Sequence, residues 1–178
     1  MREAEALALL SAAVPAAEGE MWADLGAGAG TFTRALVTLV GPAGRVHAVD
    51  ADAGALRMIE SWAARAPAQR PVITIAADVT RPLGLPPLDG VVMANVLHFV
   101  ADAEEALRTV AAQLRPGGRL VLIEYEGRRP SRWVPHPVPA DRFAQLAAAS
   151  GFDRPQVVAT RPSAYGGDIY VAVTARRG

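Results

Sequence analysis

Four polar residues, Asp24, Asp50, Asp78 and Asn95, stand at or beside the ends of short apolar runs. A carboxylate accepts hydrogen bonds and donates none, so an acid at a strand end suits a ligand with paired hydroxyls or an amine. The first acid opens the run Asp24-Leu25-Gly26-Ala27-Gly28-Ala29-Gly30. Three glycines on alternate positions suit a backbone that turns through positive φ or approaches a ligand with no Cβ in the way. Lying between a strand and a helix, such a loop would set free backbone N–H groups and a positive dipole end beside the ligand. A nucleotide-type cofactor is the chemistry this spacing suits. His98, three residues beyond Asn95, would take a proton from a second reactant or serve as a hydrogen-bonded pocket residue.

The positioning elements follow from periodicity and punctuation. A helix is expected over Arg2 to Val14, ended by Pro15. Trp22 to Leu25 reads as a buried strand and Thr31 to Val40 as the helix after the glycine loop. Gly41-Pro42-Ala43-Gly44 turns into a strand over Arg45 to Val49 that ends in Asp50, and Asp52 caps a helix over Ala53 to Ala66, closed by Pro67. Asp50 has the role of a hydroxyl acceptor or that of a second cap, and His47 reads as packed or exposed. Pro71 to Ala77 is a β-branched strand running into Asp78, and Leu88 to Asn95 is a fourth. Asp102 caps a helix over Ala101 to Leu114. Pro116-Gly117-Gly118 then turns the chain into a strand over Leu120 to Glu124. A last helix over Asp141 to Ser150 precedes two strands, Gln156 to Thr160 and Asp168 to Thr174, joined through Tyr165-Gly166-Gly167.

In their order, Asp-x-Gly-x-Gly-x-Gly, Ala48-Val49-Asp50, Ala77-Asp78-Val79, Asn95-Val96-Leu97-His98 and Pro116-Gly117-Gly118 resemble the motifs of class I S-adenosylmethionine (SAM)-dependent methyltransferases, over nearly the whole chain. The Asn-x-Leu-His loop is similar to that of the ubiquinone/menaquinone type, which acts on small molecules. The resemblance implies SAM as cofactor and S-adenosylhomocysteine as product. Asp24, Leu25, Gly26, Ala27, Gly28 and Gly30 would wrap the amino-acid end. Asp50 with Ala51 would hold the ribose, Asp78 with Val79 the adenine, and Asn95 with Val96 would lie beside the transferring methyl group. It also implies a Rossmann-like, doubly wound α/β fold: a seven-stranded mixed sheet, last strand antiparallel, helices on both faces. The dinucleotide fingerprint G-x-G-x-x-G would place a glycine where Thr31 stands, and a third-strand Asp is less expected for NAD.

A small-molecule methyl acceptor would be walled by His98, Phe99 and the irregular segment Glu124 to Pro139, with Tyr125, Arg128, Trp133 and His136, and by Tyr165. Arg128, Arg129 and Arg132 would grip a carboxylate or phosphate, or form a solvated basic loop. Transfer is an in-line displacement, in which positioning supplies on the order of 7–11 kcal/mol at its favourable limit. His98 is the candidate catalytic base if the acceptor must lose a proton.

Composition narrows the alternatives. The 178 residues, 51% of them hydrophobic, suit one domain: a short N-terminal helix in 1–20, a cofactor half in 21–100 and a substrate half in 101–178. Formal charge is zero, which disfavours nucleic acid as a partner. The chain contains no cysteine and no lysine, which argues against thiol-dependent arsenite methylation and cysteine-mediated C5 methylation of pyrimidines. His47, His98 and His136 fall on separate elements, so no metal is assigned. With no membrane-length apolar run and no signal-peptide pattern, a cytoplasmic protein is expected. The brief segment before the glycine loop would leave the substrate side open, or completed by a second copy or another chain. Two other readings stand beside the enzyme: a SAM-binding partner or regulatory subunit without turnover, and an NAD(P) oxidoreductase.

Overall fold

Parallel strands covered on both faces need near-continuous apolar runs and helices to cover them. The computed structural model describes residues 2–14, 18–65, 72–164 and 166–178. In chain order the elements are α1 (Glu3–Ser11), β1 (Met21–Leu25), α2 (Thr31–Val40), β2 (Arg45–Asp50), α3 (Ala53–Ala64), β3 (Val72–Ala76), β4 (Leu88–Ala94), a 3₁₀ turn (Leu97–Phe99), α4 (Ala103–Gln113), β5 (Leu114–Glu126), α5 (Ala140–Ala149), β6 (Gln156–Pro162) and β7 (Asp168–Ala175). Pro15, Ala66, Pro67, Pro71 and Tyr165, on which expectations fell, lie outside the described residues.

The strands form one seven-stranded sheet in the order β3-β2-β1-β4-β5-β7-β6. Neighbours from β3 to β5 pair in parallel, whereas β7 runs antiparallel to both β5 and β6. This is the expected mixed sheet with an antiparallel last strand. The chain winds outward from β1 to β3, then returns to add β4 on the other side. A crevice therefore opens at the carboxyl ends of β1 and β4, the usual place for a ligand in an open α/β sheet.

Alternation along the strands sorts the core into two layers. Trp22, Val46, Val92, Val121, Ile123 and Val171 pack with α1 and α2 through Leu10, Phe32, Leu36 and Val40. Leu25, Val91, Met93, Leu120 and Leu122 face α4 and α5 through Leu107, Val110, Phe143 and Ala147. α1 is thus a packing helix against α2, not a cover over the crevice. Among the described residues no helix is long and apolar enough to cross a membrane.

The β1–β4 seam depends on a missing side chain. Trp22 is fully buried opposite Gly90, and a Cβ at that glycine would lie 2.4 Å from the indole. The indole Nε1 donates to Glu20 at 2.8 Å, the Arg119 guanidinium lies 5.1 Å from the ring centroid, and Glu20 and Arg119 pair with each other. The ring therefore has no room to swing aside.

Two expectations change in detail. α1 spans only Glu3–Ser11 of the helix expected to Val14. β5 begins at Leu114 rather than Leu120, because Leu114 pairs with Leu88 while Gly90 pairs with Arg119, so the Pro-Gly-Gly turn is a bulge inside the strand. Gly117, at φ 75°, donates to the Arg176 carbonyl, and Gly118 accepts from the Arg176 N–H; these bonds hold the bulge to the chain after β7. The caps are as expected: Asp52 accepts from Gly54 N–H at 2.7 Å and Asp102 from Glu105 N–H at 3.0 Å.

Gly90→Ala is expected to lower stability by about 1–3 kcal/mol through overpacking. The measurement is the urea midpoint; an unshifted midpoint would mean that Trp22 yields.

Candidate active site

The glycine loop is held in place by its own N–H groups. Gly26 and Ala27 both donate to the Val49 carbonyl, at 2.8 and 3.0 Å, Gly30 donates to Ala27, and Gly28 donates to Asp50 Oδ2 at 2.7 Å. The expected row of free donors is therefore corrected: three of these donors tie the loop to the end of β2 and the fourth, from Gly30, closes the loop on itself. A pyrophosphate cradle needs such donors unspent, so this loop is a poor dinucleotide site. All three glycines have positive φ, but they meet different surroundings. A Cβ on Gly26 would strike Val96 at 2.2 Å and one on Gly30 would strike Ile59 at 2.7 Å. One on Gly28 would meet nothing within 4 Å, so that glycine leaves clear space beside the crevice.

A hollow of about 280 Å³ is lined by Gly26, Asp50, Ala51, Ala77, Asp78, Val79, Asn95, Val96 and Phe99. From sequence, seven of these nine are expected at the cofactor and Phe99 at the acceptor; Ala77 stands there only as a member of Ala77-Asp78-Val79. Asp50 is fixed at both oxygens, Oδ2 by Gly28 and Oδ1 by Asp52 N–H at 2.8 Å. Each oxygen keeps a lone pair for a further donor. Asp78 Oδ1 accepts from the Thr80 N–H at 2.9 Å and its hydroxyl at 2.7 Å, and these bonds hold its carboxyl below the ordinary range.

Three expected contacts lie behind this surface. Leu25 is fully buried in the core, and Ala27 packs with Ala48, Leu56 and Ile59. Asp24 is 1% exposed and accepts the Thr33 hydroxyl at 2.6 Å, joining β1 to the first turn of α2. Burial, aided by the charge of Asp50 and opposed by the Thr33 bond, raises its carboxyl to about 6.

A second cavity, about 590 Å³, adjoins the first at Asn95 and Phe99, which line both. Its other lining residues are His98, Tyr125, Arg128, Ser131, Trp133 and Val134. Asn95 has φ 57°, the one non-glycine positive φ among the described residues, and its buried Oδ1 has no partner. His98, 2% exposed, places Nδ1 2.7 Å from Oε2 of the fully buried Glu124. That carboxylate also accepts the backbone N–H of His98 at 3.2 Å and of Tyr125 at 3.3 Å. An acceptor so surrounded puts the ring proton on Nδ1 and leaves Nε2 as the basic nitrogen.

Glu124 escaped the sequence reading. Its signal was a lone charge inside Leu120-Val121-Leu122-Ile123-Glu124, where burial demands a partner.

The segment after β5 is a built wall. Ser131 and Val134 exchange N–H···O bonds of 3.0 and 3.2 Å, the Tyr170 hydroxyl donates to Val138 O at 2.7 Å, and Arg142 donates to Pro137 O at 2.8 Å. His136 contributes through its backbone N–H, which donates to His98 O at 2.9 Å, and it does not line the cavity. Of the three arginines only Arg128 lines the cavity; Arg132 stacks on Trp133 at 4.5 Å. His47 is a core residue, with both ring nitrogens buried and unpartnered.

The sheet thus carries a crevice and an adjoining cavity at the carboxyl ends of its strands. Residues 23–120 match the family model described as a methyltransferase domain, and the chain belongs to that family. It is 34% identical over 166 residues to an uncharacterized 37.1 kDa protein in transposon TN4556 of Streptomyces fradiae, covering 82% of this chain and 47% of that one. It is 33% identical over 103 residues to the ubiquinone/menaquinone biosynthesis C-methyltransferase UbiE of Pseudomonas savastanoi, covering 57% of this chain and 40% of that one. The chain thus spans less than half the length of these curated relatives. Its fold matches an arsenic(III) SAM methyltransferase from Chlamydomonas reinhardtii with a TM-score of 0.78 at 21% identity, covering 99% of this chain and 73% of the other. The family and fold imply SAM as the cofactor.

Asp24→Asn is expected to stabilise the protein above pH 6. The unfolded chain releases the Asp24 proton near 3.8 and the folded chain near 6. Stability is therefore lost as pH rises through that window and stays lost above it. The variant should match wild type near pH 4 and exceed it by roughly 2 kcal/mol at pH 7–8. Urea unfolding across this range is the measurement; parallel pH profiles would refute the assignment.

Proposed function

We propose that this domain transfers a methyl group from SAM to a small-molecule acceptor bearing an ionisable hydroxyl or acidic C–H group, with His98 as general base. The observation that carries this is the buried His98–Glu124 pair facing a cavity that shares Asn95 and Phe99 with the cofactor crevice. The crevice residues fit the cofactor. Asp50 would take the ribose hydroxyls, Asp78 and Val79 the adenine edge, and the surface left clear at Gly28 would admit the amino-acid end. SAM, when bound, supplies a methyl group activated on a sulfonium and departs as S-adenosylhomocysteine.

His98 Nε2 takes the acceptor's proton while the acceptor atom forms its new bond to carbon. Glu124 holds the Nδ1–H tautomer, orients the ring and stabilises the imidazolium that results, acting through His98 as a positioning residue. Phe99 and Trp133, 56% and 68% exposed, flank the entrance and would exclude water once an acceptor stacks on them.

A base matters only for an acceptor that is still protonated. His98→Ala and Glu124→Gln should therefore slow methylation of weakly acidic phenols by roughly 100- to 10,000-fold. A nitrophenol already ionised at the assay pH should lose far less. S-adenosylhomocysteine affinity should stay unchanged in both variants. Equal losses for both acceptor classes would show that the pair only supports the pocket.

A further inference from the structure

We infer that the cavity beside His98 is shaped for a planar dihydroxy acid, a catechol or enediol with one hydroxyl at His98 Nε2, its neighbour donating to Asn95 Oδ1, and a carboxylate that pairs with Arg128. This rests on the reading of His98 as the base and adds the identity of the other end of the acceptor.

Buried polar atoms almost always have partners, and the exceptions point to a missing ligand, ion or water. Two such exceptions belong to residues lining this one cavity: Asn95 Oδ1, an acceptor, and Arg128 Nε, a donor on a cation. Their complement is a ligand with a hydrogen-bond donor at one end and an anion at the other. Arg128 has no ion pair or hydrogen bond among the described residues, and its guanidinium lies 5.0 Å from the Tyr125 ring centroid. That ring, 5.7 Å from the His98 ring, links the two ends of the cavity.

The guanidinium fork is planar by delocalisation, the form that meets a carboxylate through two parallel bonds, and the Tyr125 ring beside it limits where the fork can turn. A single arginine among the lining residues suits a monoanion better than a doubly charged phosphate ester. Phe99, Tyr125 and Trp133 supply aromatic faces, and exposed rings of this size at a cavity mouth favour a flat, apolar ligand body.

The probes are 3,4-dihydroxybenzoate and its uncharged methyl ester, titrated calorimetrically into the protein saturated with S-adenosylhomocysteine. The acid should bind wild type about tenfold or more tightly than the ester, as expected when one charge-assisted pair is lost. Arg128→Met should abolish that preference, and Arg129→Met should retain it. Equal affinities in wild type, a preference that survives Arg128→Met, or binding of neither compound would each overturn the inference. Turnover with SAM separates this from the proposed reaction. Methylation of the ester as readily as the acid would sink the acid site alone. Arg128-dependent binding of the acid, with no product from either compound, would support the acid site and count against methyl transfer.

Discussion

A carboxylate with no exposure is tolerated only where N–H groups surround it, and Glu124 at the carboxyl end of β5 sets that demand on its neighbours. Three N–H groups answer it: the backbone of Tyr125, the backbone of His98 and the imidazole of His98. The 3₁₀ turn after β4 must therefore fold back against β5, which swings the chain through left-handed Asn95 and sets His98 beside the cavity. The wall at 127–139 then docks on the same turn through His136 N–H and His98 O. Removing the carboxylate would leave the imidazole without an orienting partner and loosen the wall.

Features that lower the stability of a fold gather at this edge of the sheet. Asn95 is strained and its side-chain oxygen unpartnered, Arg128 carries an unpartnered Nε, and Asp24 is buried beside the charge of Asp50. Over much of the remaining fold local preference and tertiary structure agree: the caps are in place and Gly90 meets Trp22. Two unpartnered polar atoms and a left-handed asparagine around one cavity are what a ligand site looks like when its ligand completes the bonding; the unpartnered ring nitrogens of His47 lie in the core, away from it.

Much of this was legible in the sequence, because strand runs and turn chemistry are local. The boundaries of α2 follow from the glycines before it and Gly41 after it, and the acids at the ends of β2 and β3 follow from position alone. Four matters were not legible. The N–H groups of Gly26, Ala27 and Gly28 are spent on Val49 and Asp50, which only the β1–β2 register reveals. The Pro-Gly-Gly turn lies within β5 because Leu114 before it pairs with Leu88 and its glycines bond to Arg176, both far away in the chain. Glu124 joins His98 across 26 positions, a pairing that periodicity does not encode. The three neighbouring arginines also look alike in sequence, and only the path of the loop singles out Arg128.

The central claim is that the carboxyl-end crevice takes SAM through Asp50. Calorimetric titration of wild type and Asp50→Ala with SAM, S-adenosylhomocysteine and NADH tests it most directly. The account predicts saturable binding of the first two to wild type, loss of both in the variant, and no heat from NADH. Binding of NADH in place of SAM, or SAM binding that persists undiminished in Asp50→Ala, would contradict it.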